Sequence, residues 1–453
     1  MKHGRFHPLM ALRFLRKTLA VYLLPLINIL FERNWPALRD ALMQDLFIFA
    51  LLCAVSWVIL HVSSWSLDEE NTFCLHWKLF VALDREIRGS ALAGLTLERP
   101  LLFRLCGASR LVLYPIGQPK KGTLSLCLRQ DNAQELADRL FPIEKPVLHT
   151  PHSGEKVALV LLGANGVSTL ALIALALRQT RGLPWDPQTA AFSHLNSLAA
   201  FAARWLPAGT AWLLVLAGAF WSTSLLRSFA QTLRYTVWRT EDQLGSRGGW
   251  LNRYEFRVRR SQLSFADVRL SPGARLLHRW PVFVTAGCCC PELPFFVYRS
   301  GEEAMFAELL PEFRMPPEIL PDTRKRSLLF FAPAGVPFAF FLLLVLVSRY
   351  TLPALTPLLL IPAMVFLVLL SGGYMGYRQE GIWPQDGLLT LRRQERLSLH
   401  CICILHPDLC LKAMQSPWAV QARRLSLTIT LPGQVRLKVR SIPEADAEQC
   451  FNP

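Results

Sequence analysis

RYTVWRTEDQLGSRGGWLNRYEFRVRR, spanning Arg234–Arg260, is the stretch that decides how this chain is organised. It follows almost directly on Trp205–Leu226, a run without a charged side chain. Tyr235–Thr240 alternates as a strand does, Glu241–Gly249 is rich in turn residues, and Arg253–Arg259 alternates again. The stretch therefore predicts a strand–turn–strand hairpin with one basic face, placed just behind an apolar segment.

Composition favours a membrane protein. Hydrophobic residues make up 52% of the 453 residues and charged residues only 18%, against about a quarter in ordinary soluble proteins. A bilayer core requires about 20 apolar residues of helix. The uncharged runs of that length are Leu46–Leu67, Val157–Leu177, Trp205–Leu226, Ser327–Ser348 and Tyr350–Tyr377. With a shorter run at Leu12–Phe31 as an uncleaved first span, they predict a multi-pass α-helical membrane protein.

The apolar runs come in pairs, and a polar module follows each pair. Because this order recurs three times, the sequence predicts an internal repeat. The predicted helix pairs are 1–66, 151–228 and 323–376, and the predicted modules are 67–150, 229–322 and 377–453. Each module combines short strand patterns with a final helix, the first of them capped by Asp131 and Gln134. We expect each module to be a small β-barrel or sandwich closed by its helix.

Lysines and arginines near the ends of the runs set the expected orientation. The N-terminus carries five basic residues and no acidic residue, and Arg324, Lys325 and Arg326 precede the fifth run. The N-terminus and all three modules are therefore expected on the cytoplasmic side. The 11 cysteines show no paired spacing, which agrees with a reducing compartment.

Short motifs before the basic strands resemble a known family. Asp242–Leu244 has the pattern Asp-x-Leu, Asp386–Leu388 is Asp-Gly-Leu, and His7 and Pro8 precede the first apolar run. These features are similar to the bacterial PH-like domain and to the YdbT-type multi-pass membrane proteins. The resemblance implies PH-like barrels with a C-terminal helix, a bacterial plasma membrane location and no established catalytic residues. It also implies a place in an envelope-protection complex with a smaller PH-like partner.

The basic strand face supplies the candidate site. From Arg227 to Arg279 the chain has 11 arginines against four acidic residues, and cations near a membrane attract anionic lipid. The predicted anionic-lipid contacts are Arg239, Arg247, Arg253, Arg257, Arg259 and Arg260. Two interpretations stay open: these side chains contact lipid, or they are solvated strand residues that set membrane orientation.

Two cysteine-rich segments are candidate metal or thiol sites. The first contains the potential zinc ligands His400, Cys401, Cys403, His406 and Cys410. A second ligand pair at the usual separation is missing, and Cys401 and Cys403 alternate like interior residues of a strand. The run Cys288–Cys290 continues an apolar strand. Both segments therefore favour buried structural cysteines, and no metal or cofactor is predicted.

The sequence contains no phosphate-binding glycine loop, no His-Glu-x-x-His and no nucleophile elbow. We therefore expect a non-enzymatic, membrane-anchored binding or scaffold protein at the inner face of the membrane. Its expected partners are an anionic lipid surface and a membrane protein or a second copy of itself, with no nucleic acid. One alternative is a transporter or channel component that handles lipid or peptide. Another is an integral-membrane enzyme with a dispersed site that includes His61, His194 or Ser222.

Overall fold

A computed structural model describes the chain in segments separated by gaps. The gaps are residues 1, 11–34, 79–81, 119–121, 145, 164–196, 199, 202–203, 205–217, 219–221, 288, 290, 292, 300–306, 314–331, 352–355, 386–387, 396–397, 406–409, 416, 432–434 and 452–453. All structural statements below concern the residues outside these gaps.

The first two sheets of the described chain are antiparallel throughout. One contains, in spatial order, β1 (Lys2–Arg5), β2 (Ser64–Leu67), β3 (Thr72–Lys78) and β4 (Ala82–Arg88). The other contains β5 (Leu92–Arg99), β6 (Ala108–Pro115), β7 (Leu124–Arg129), β8 (Val147–His149), β9 (Thr236–Arg239), β10 (Gln243–Gly248) and β11 (Arg253–Arg259). Its spatial order is β7-β6-β5-β11-β10-β9-β8.

The other two sheets are also antiparallel. The third contains β12 (Leu263–Leu270), β13 (Arg279–Ala286), β14 (Phe296–Arg299), β15 (Gly381–Gln385), β16 (Leu388–Glu395) and β17 (Ser398–Leu405), in the order β14-β13-β12-β17-β16-β15. The fourth joins β18 (Cys410–Met414), β19 (Arg424–Leu431) and β20 (Val435–Pro443).

Helices connect and cover these sheets. They are α1 (Trp35–Val62), α2 (Leu101–Leu105), α3 (Gln130–Leu140), α4 (Ser153–Gly163), α5 (residues 222–232), α6 (Pro272–Leu277), α7 (Ala332–Thr351), α8 (Thr356–Gln379), α9 (Pro417–Gln421) and α10 (Glu444–Phe451). Helix α3 shows why they form, because its buried residues Ala133, Leu136, Ala137 and Leu140 fall on one helical face. It begins after Arg129 without a side-chain cap, so the predicted capping by Asp131 and Gln134 is wrong.

Two of the sheets cross the boundaries of the predicted modules. Strand β5 of the first module pairs with β11 of the second, from Arg99 opposite Arg253 to Gly94 opposite Val258. Strand β12 of the second module pairs with β17 of the third in the same antiparallel way. Each pairing supplies partners to strands that would otherwise be open edges. Neighbouring modules are therefore joined through backbone hydrogen bonds as well as side chains.

Apolar residues of the described chain form three cores. One core packs strands β2–β7 around residues such as Phe73, Leu95 and Leu111, with α3 covering it. A second surrounds Tyr235 and Val258 and includes Cys403 of β17. The third packs β15–β20 against α10. The second core thus draws on residues from two predicted modules, as the shared sheet requires.

The predicted multi-pass α-helical membrane fold is wrong. The structure is β-rich, with 41% strand in four sheets. Among the described residues, Ala334–Thr351 is the one helical segment that is long and apolar enough to cross a bilayer, by length and composition alone. The predicted localisation as a multi-pass protein of the bacterial plasma membrane is wrong for the same reason.

Apolar runs misled the prediction because a core helix or strand is as free of charge as a membrane span. The run Leu46–Leu67 contains the end of α1 and then strand β2. The run Val157–Leu177 begins in α4, whose Leu159 is buried in the second core. The predicted span Leu12–Phe31, residues 164–177 and most of 205–221 lie outside the described residues.

The predicted hairpin is correct in its outer strands and wrong in its turn. Strand β11 has the predicted limits, Arg253–Arg259. The expected turn, Glu241–Gly249, is mostly the central strand β10, which pairs with β9 on one side and β11 on the other. Glycine is used there for close packing, since a Cβ on Gly245 would lie 2.0 Å from Cζ2 of Trp238.

A buried polar group lies at the junction of the second and third predicted modules. Asp267 on β12 accepts a hydrogen bond from Nε of Arg269 at 2.8 Å. Nδ1 of His400 on β17 lies 3.0 Å from Oδ2 of Asp267. Burial raises the pKa of Asp267, but the hydrogen bond and charge of His400, together with Arg269, outweigh burial and hold that pKa below its ordinary value. The carboxylate is therefore stabilised in its ionised form.

We expect Gly245→Ala to lower the free energy of unfolding by about 1–3 kcal/mol, because the new methyl group overpacks against Trp238. Gly273→Ala is the matched control, since its nearest neighbour beyond the local chain is 3.7 Å from the new Cβ. Urea denaturation measures both. Equal midpoints for the two variants would contradict this account of Gly245.

Asp267→Asn should cost about 3–5 kcal/mol at neutral pH, as breaking a buried ion pair does. A lowered pKa gives stability that is complete above the unfolded value, about 3.9, and is lost as pH falls through the folded value. The difference between wild type and variant should therefore shrink below about pH 4. Chemical denaturation from pH 7 to pH 3 measures it, with exposed Glu448→Gln as control. A difference independent of pH would refute the role of the charge.

Candidate functional site

Helix α5 ends where the opening stretch of the sequence begins. The amide of Gly249 donates to the carbonyl of Leu233, and that of Trp250 to the carbonyl of Ala230, each at 2.9 Å. Gly249 has φ +94°, and a Cβ there would lie 1.9 Å from a backbone oxygen. Arg234 follows the helix in the left-handed conformation, with φ +57°. The β10–β11 turn therefore caps the helix, and Arg234 is held at the surface beside it.

Beside this capped end lies a cleft of about 460 Å³. Arg99 of β5, Arg234 after α5, Arg247 of β10 and Arg253 of β11 line it, and Glu255 is the carboxylate among its lining residues. Glu255 is already in an ion pair with Arg257, which does not line the cleft; the two side chains are 2.6 Å apart. The cleft therefore carries an excess of positive charge.

The arginines in the cleft face one another. Arg99 and Arg253 are directly opposite in the β5–β11 pair, an arrangement that destabilises a sheet when both residues carry the same charge. Nε of Arg99 is buried and has no hydrogen-bond partner in the described chain, although Nη2 donates to Oε1 of Gln134 at 2.5 Å. Burial lowers the pKa of Arg99; Glu255 raises it, and Arg253 lowers it further. An anion between the two guanidinium groups would relieve this repulsion.

Two of the six predicted arginines belong to this cleft. Arg247 and Arg253 are exposed and line it. Nε of Arg247 donates to Oγ1 of Thr236 at 3.1 Å, which leaves its terminal nitrogens for a ligand. For these two side chains, contact with an anionic group stays a prediction.

Three of the other arginines are engaged with the protein itself. Arg239 and Arg260 both pair with Glu312. The guanidinium of Arg259 lies 5.1 Å from the ring centre of Phe141. The two contacts with Glu312 lie within the second predicted module, and the contact with Phe141 joins that module to the first. All three arginines are half-buried.

Arg257, the sixth, is only 1% exposed. It pairs with Glu255 on its own strand and with Asp138 of α3, 2.7 Å away. Its Nη1 also donates to the carbonyls of Ala137 and Phe141, at 3.3 and 2.8 Å. A cation here satisfies the last carbonyls of α3 and interacts favourably with the helix dipole. Arg257 therefore fastens the helix of the first predicted module to a strand of the second.

Sequence reasoning missed Arg99 and Arg234. Arg99 comes from a different predicted module, and only the β5–β11 pairing brings it opposite Arg253. Arg234 stands at the start of the opening stretch, and its position directly after an apolar run was the signal that could have identified it. Local alternation predicted which residues of β11 share a face. It could not predict that β5 is the strand beside it.

A second, larger cleft of about 700 Å³ lies between the same modules. Its lining has three arginines and three carboxylates, namely Arg139, Arg259, Arg260, Glu241, Asp242 and Glu312. Glu312 already binds Arg260. Because its charges balance, this cleft favours neither an anion nor a cation.

Among the described cysteines of the two cysteine-rich segments, Cys289, Cys401 and Cys403 are buried and Cys410 is exposed. Within the described residues, no three histidine, cysteine or acidic side chains are close enough to hold a metal. His400 is engaged with Asp267. Burial raises the pKa of Cys401 to about 11 and that of Cys403 to about 12, so both thiols stay protonated at neutral pH. His406, Cys288 and Cys290 lie outside the described part.

Comparison of the chain with family models, with curated proteins and with solved structures finds no match. The resemblance to bacterial PH-like proteins therefore stays a prediction, and the case for a function rests on the geometry of the arginine cleft.

We expect Arg257→Met to lower the free energy of unfolding by about 3–5 kcal/mol, because Glu255 loses its buried partner and the end of α3 loses its cap. Arg436→Met removes an exposed arginine from β20 and should change stability by less than about 0.5 kcal/mol. Guanidinium denaturation compares the two. If both variants unfold at the same concentration, Arg257 does not hold the modules together.

Proposed function

We propose that the chain is a non-enzymatic binding scaffold that holds a phosphate-type anion in the cleft formed by Arg99, Arg234, Arg247 and Arg253. The observation that carries the proposal is the facing pair Arg99 and Arg253, which the β5–β11 register sets opposite each other. The charge on both side chains is unfavourable in an empty cleft and favourable once an anion lies between them.

Guanidinium chemistry suits this ligand. The planar fork of N–H donors matches two oxygens of a phosphate or carboxylate, and such charge-assisted hydrogen bonds are about twice as strong as neutral ones. A phosphate monoester presents three oxygens and can meet more than one arginine. The buried, unpartnered Nε of Arg99 would gain an acceptor. The phosphate therefore supplies the hydrogen-bond acceptor that the described side chains around Arg99 Nε do not.

Binding also fits the place of the cleft. Its arginines come from β5 on one side and from β10, β11 and the end of α5 on the other, so a ligand there contacts two predicted modules. Glu255 is occupied by Arg257 and is poorly placed to exchange a proton with a ligand. The resemblance to PH-like membrane proteins adds the expectation of a protein partner, which stays a prediction.

Arg253→Ala and Arg247→Ala should each weaken the binding of methyl phosphate by about tenfold or more, since a hydrogen bond to a charged group contributes about 1.5–3 kcal/mol. Isothermal titration of the full chain measures the dissociation constant, which should rise with ionic strength. Arg436→Ala is the control for removal of an exposed arginine.

Methyl phosphate that binds wild type and Arg253→Ala equally would overturn the cleft as the site. Recovery of inorganic phosphate, followed by ³¹P magnetic resonance, would show turnover and overturn the non-enzymatic part of the proposal.

A further inference from the structure

An apolar groove of about 590 Å³ runs between helices α4 and α5. Its walls include Val157 and Val160 of α4 and Leu226 and Phe229 of α5. Three of these side chains are strongly exposed: Val157 at 58%, Leu226 at 68% and Phe229 at 53%. Exposed apolar side chains that line one continuous groove indicate a surface that binds something apolar.

The two helices are held firmly enough to keep the groove open. Helix α4 packs on the second core, because its residues Ala158 and Leu159 are buried there. The helices approach closely where α4 ends, since a Cβ on Gly163 would lie 3.0 Å from Oγ of Ser228. The groove is thus a built feature of the fold, with one helix fixed on the sheets and the other capped by the β10–β11 turn.

The groove and the arginine cleft meet at one residue. Arg234 lines both of them, because it stands between the last turn of α5 and the first strand that follows. Lys156 adds a second cation to the lining of the groove. Positive charge therefore lies where the apolar groove continues into the cleft.

From this continuity we infer that the site binds an anionic amphiphile, with its phosphate group in the arginine cleft and its alkyl chain in the groove between α4 and α5. The inference rests on the proposed function and narrows its ligand to a phosphate ester that carries a hydrocarbon chain. Charge complementarity selects this occupant, since an apolar partner helix would leave the arginines at the junction without counter-charge. The alkyl chain of the ligand would cover Val157, Leu226 and Phe229, which otherwise face water.

Titration of the full chain with methyl, butyl and octyl phosphate tests the inference. Each methylene that enters the groove should tighten binding by about fourfold, so octyl phosphate, with four more methylenes, should bind roughly two-hundredfold more tightly than butyl phosphate. Octyltrimethylammonium, with the same chain and the opposite charge, should bind far more weakly.

The double variant Leu226→Ser/Phe229→Ser should abolish the dependence on chain length and leave the affinity for methyl phosphate unchanged. Both side chains are exposed, so the fold does not depend on their burial. Leu102→Ser/Leu276→Ser is the matched control, because those leucines are 68% and 83% exposed and lie outside the groove. The control should keep the full dependence on chain length.

The outcomes separate the two proposals. Equal affinity for methyl and octyl phosphate overturns the amphiphile and leaves the phosphate cleft standing. A chain-length effect that survives in Leu226→Ser/Phe229→Ser, or octyltrimethylammonium binding as tight as octyl phosphate, also overturns it. Failure of all three phosphates to bind overturns the proposed function itself.

Discussion

The antiparallel pairing of β5 with β11 is the constraint on which the rest of the structure depends. It sets a strand of the first predicted module beside a strand of the second, and Gly94 permits the contact because a Cβ there would lie 2.8 Å from the carbonyl oxygen of Arg257. The same register brings Arg257 beneath the end of α3, where its guanidinium binds two helix carbonyls and two carboxylates. Backbone pairing and a buried cation thus act at one seam.

The candidate site is a consequence of that seam. Register alone sets Arg99 opposite Arg253, and the β10–β11 turn that caps α5 adds Arg234 and Arg247. A protein that needed only a stable sheet would gain from opposite charges at these positions. Retaining a repulsive pair is understandable when a ligand neutralises it, which is why we place the function in the cleft. The groove beyond Arg234 then supplies an apolar surface for the remainder of the ligand.

The second seam, between β12 and β17, is built differently. It has no arginine cleft among its described residues, and its polar group is the buried Asp267 with His400 and Arg269. The charge of Asp267 is balanced by its two neighbours within the protein, so this group stabilises the junction without leaving charge for a ligand. The two seams share one sheet arrangement, and they differ in that the first also places the exposed arginines Arg247 and Arg253 in a cleft.

Local pattern was enough to predict several parts of this protein. Alternation identified β11 with its limits, and the arginine count directed attention to the same strand. The sequence by itself determined that these residues form a basic strand that follows an apolar run. Only the tertiary structure decided which arginines are buried, because the exposure of a strand face depends on the element packed against it. It also decided that apolar runs such as Val157–Leu177 begin as core helices, since freedom from charge is common to burial in protein and burial in lipid. Arg99 and Arg253 stand more than 150 positions apart in the chain, and no periodicity links residues across such a distance; strand register does.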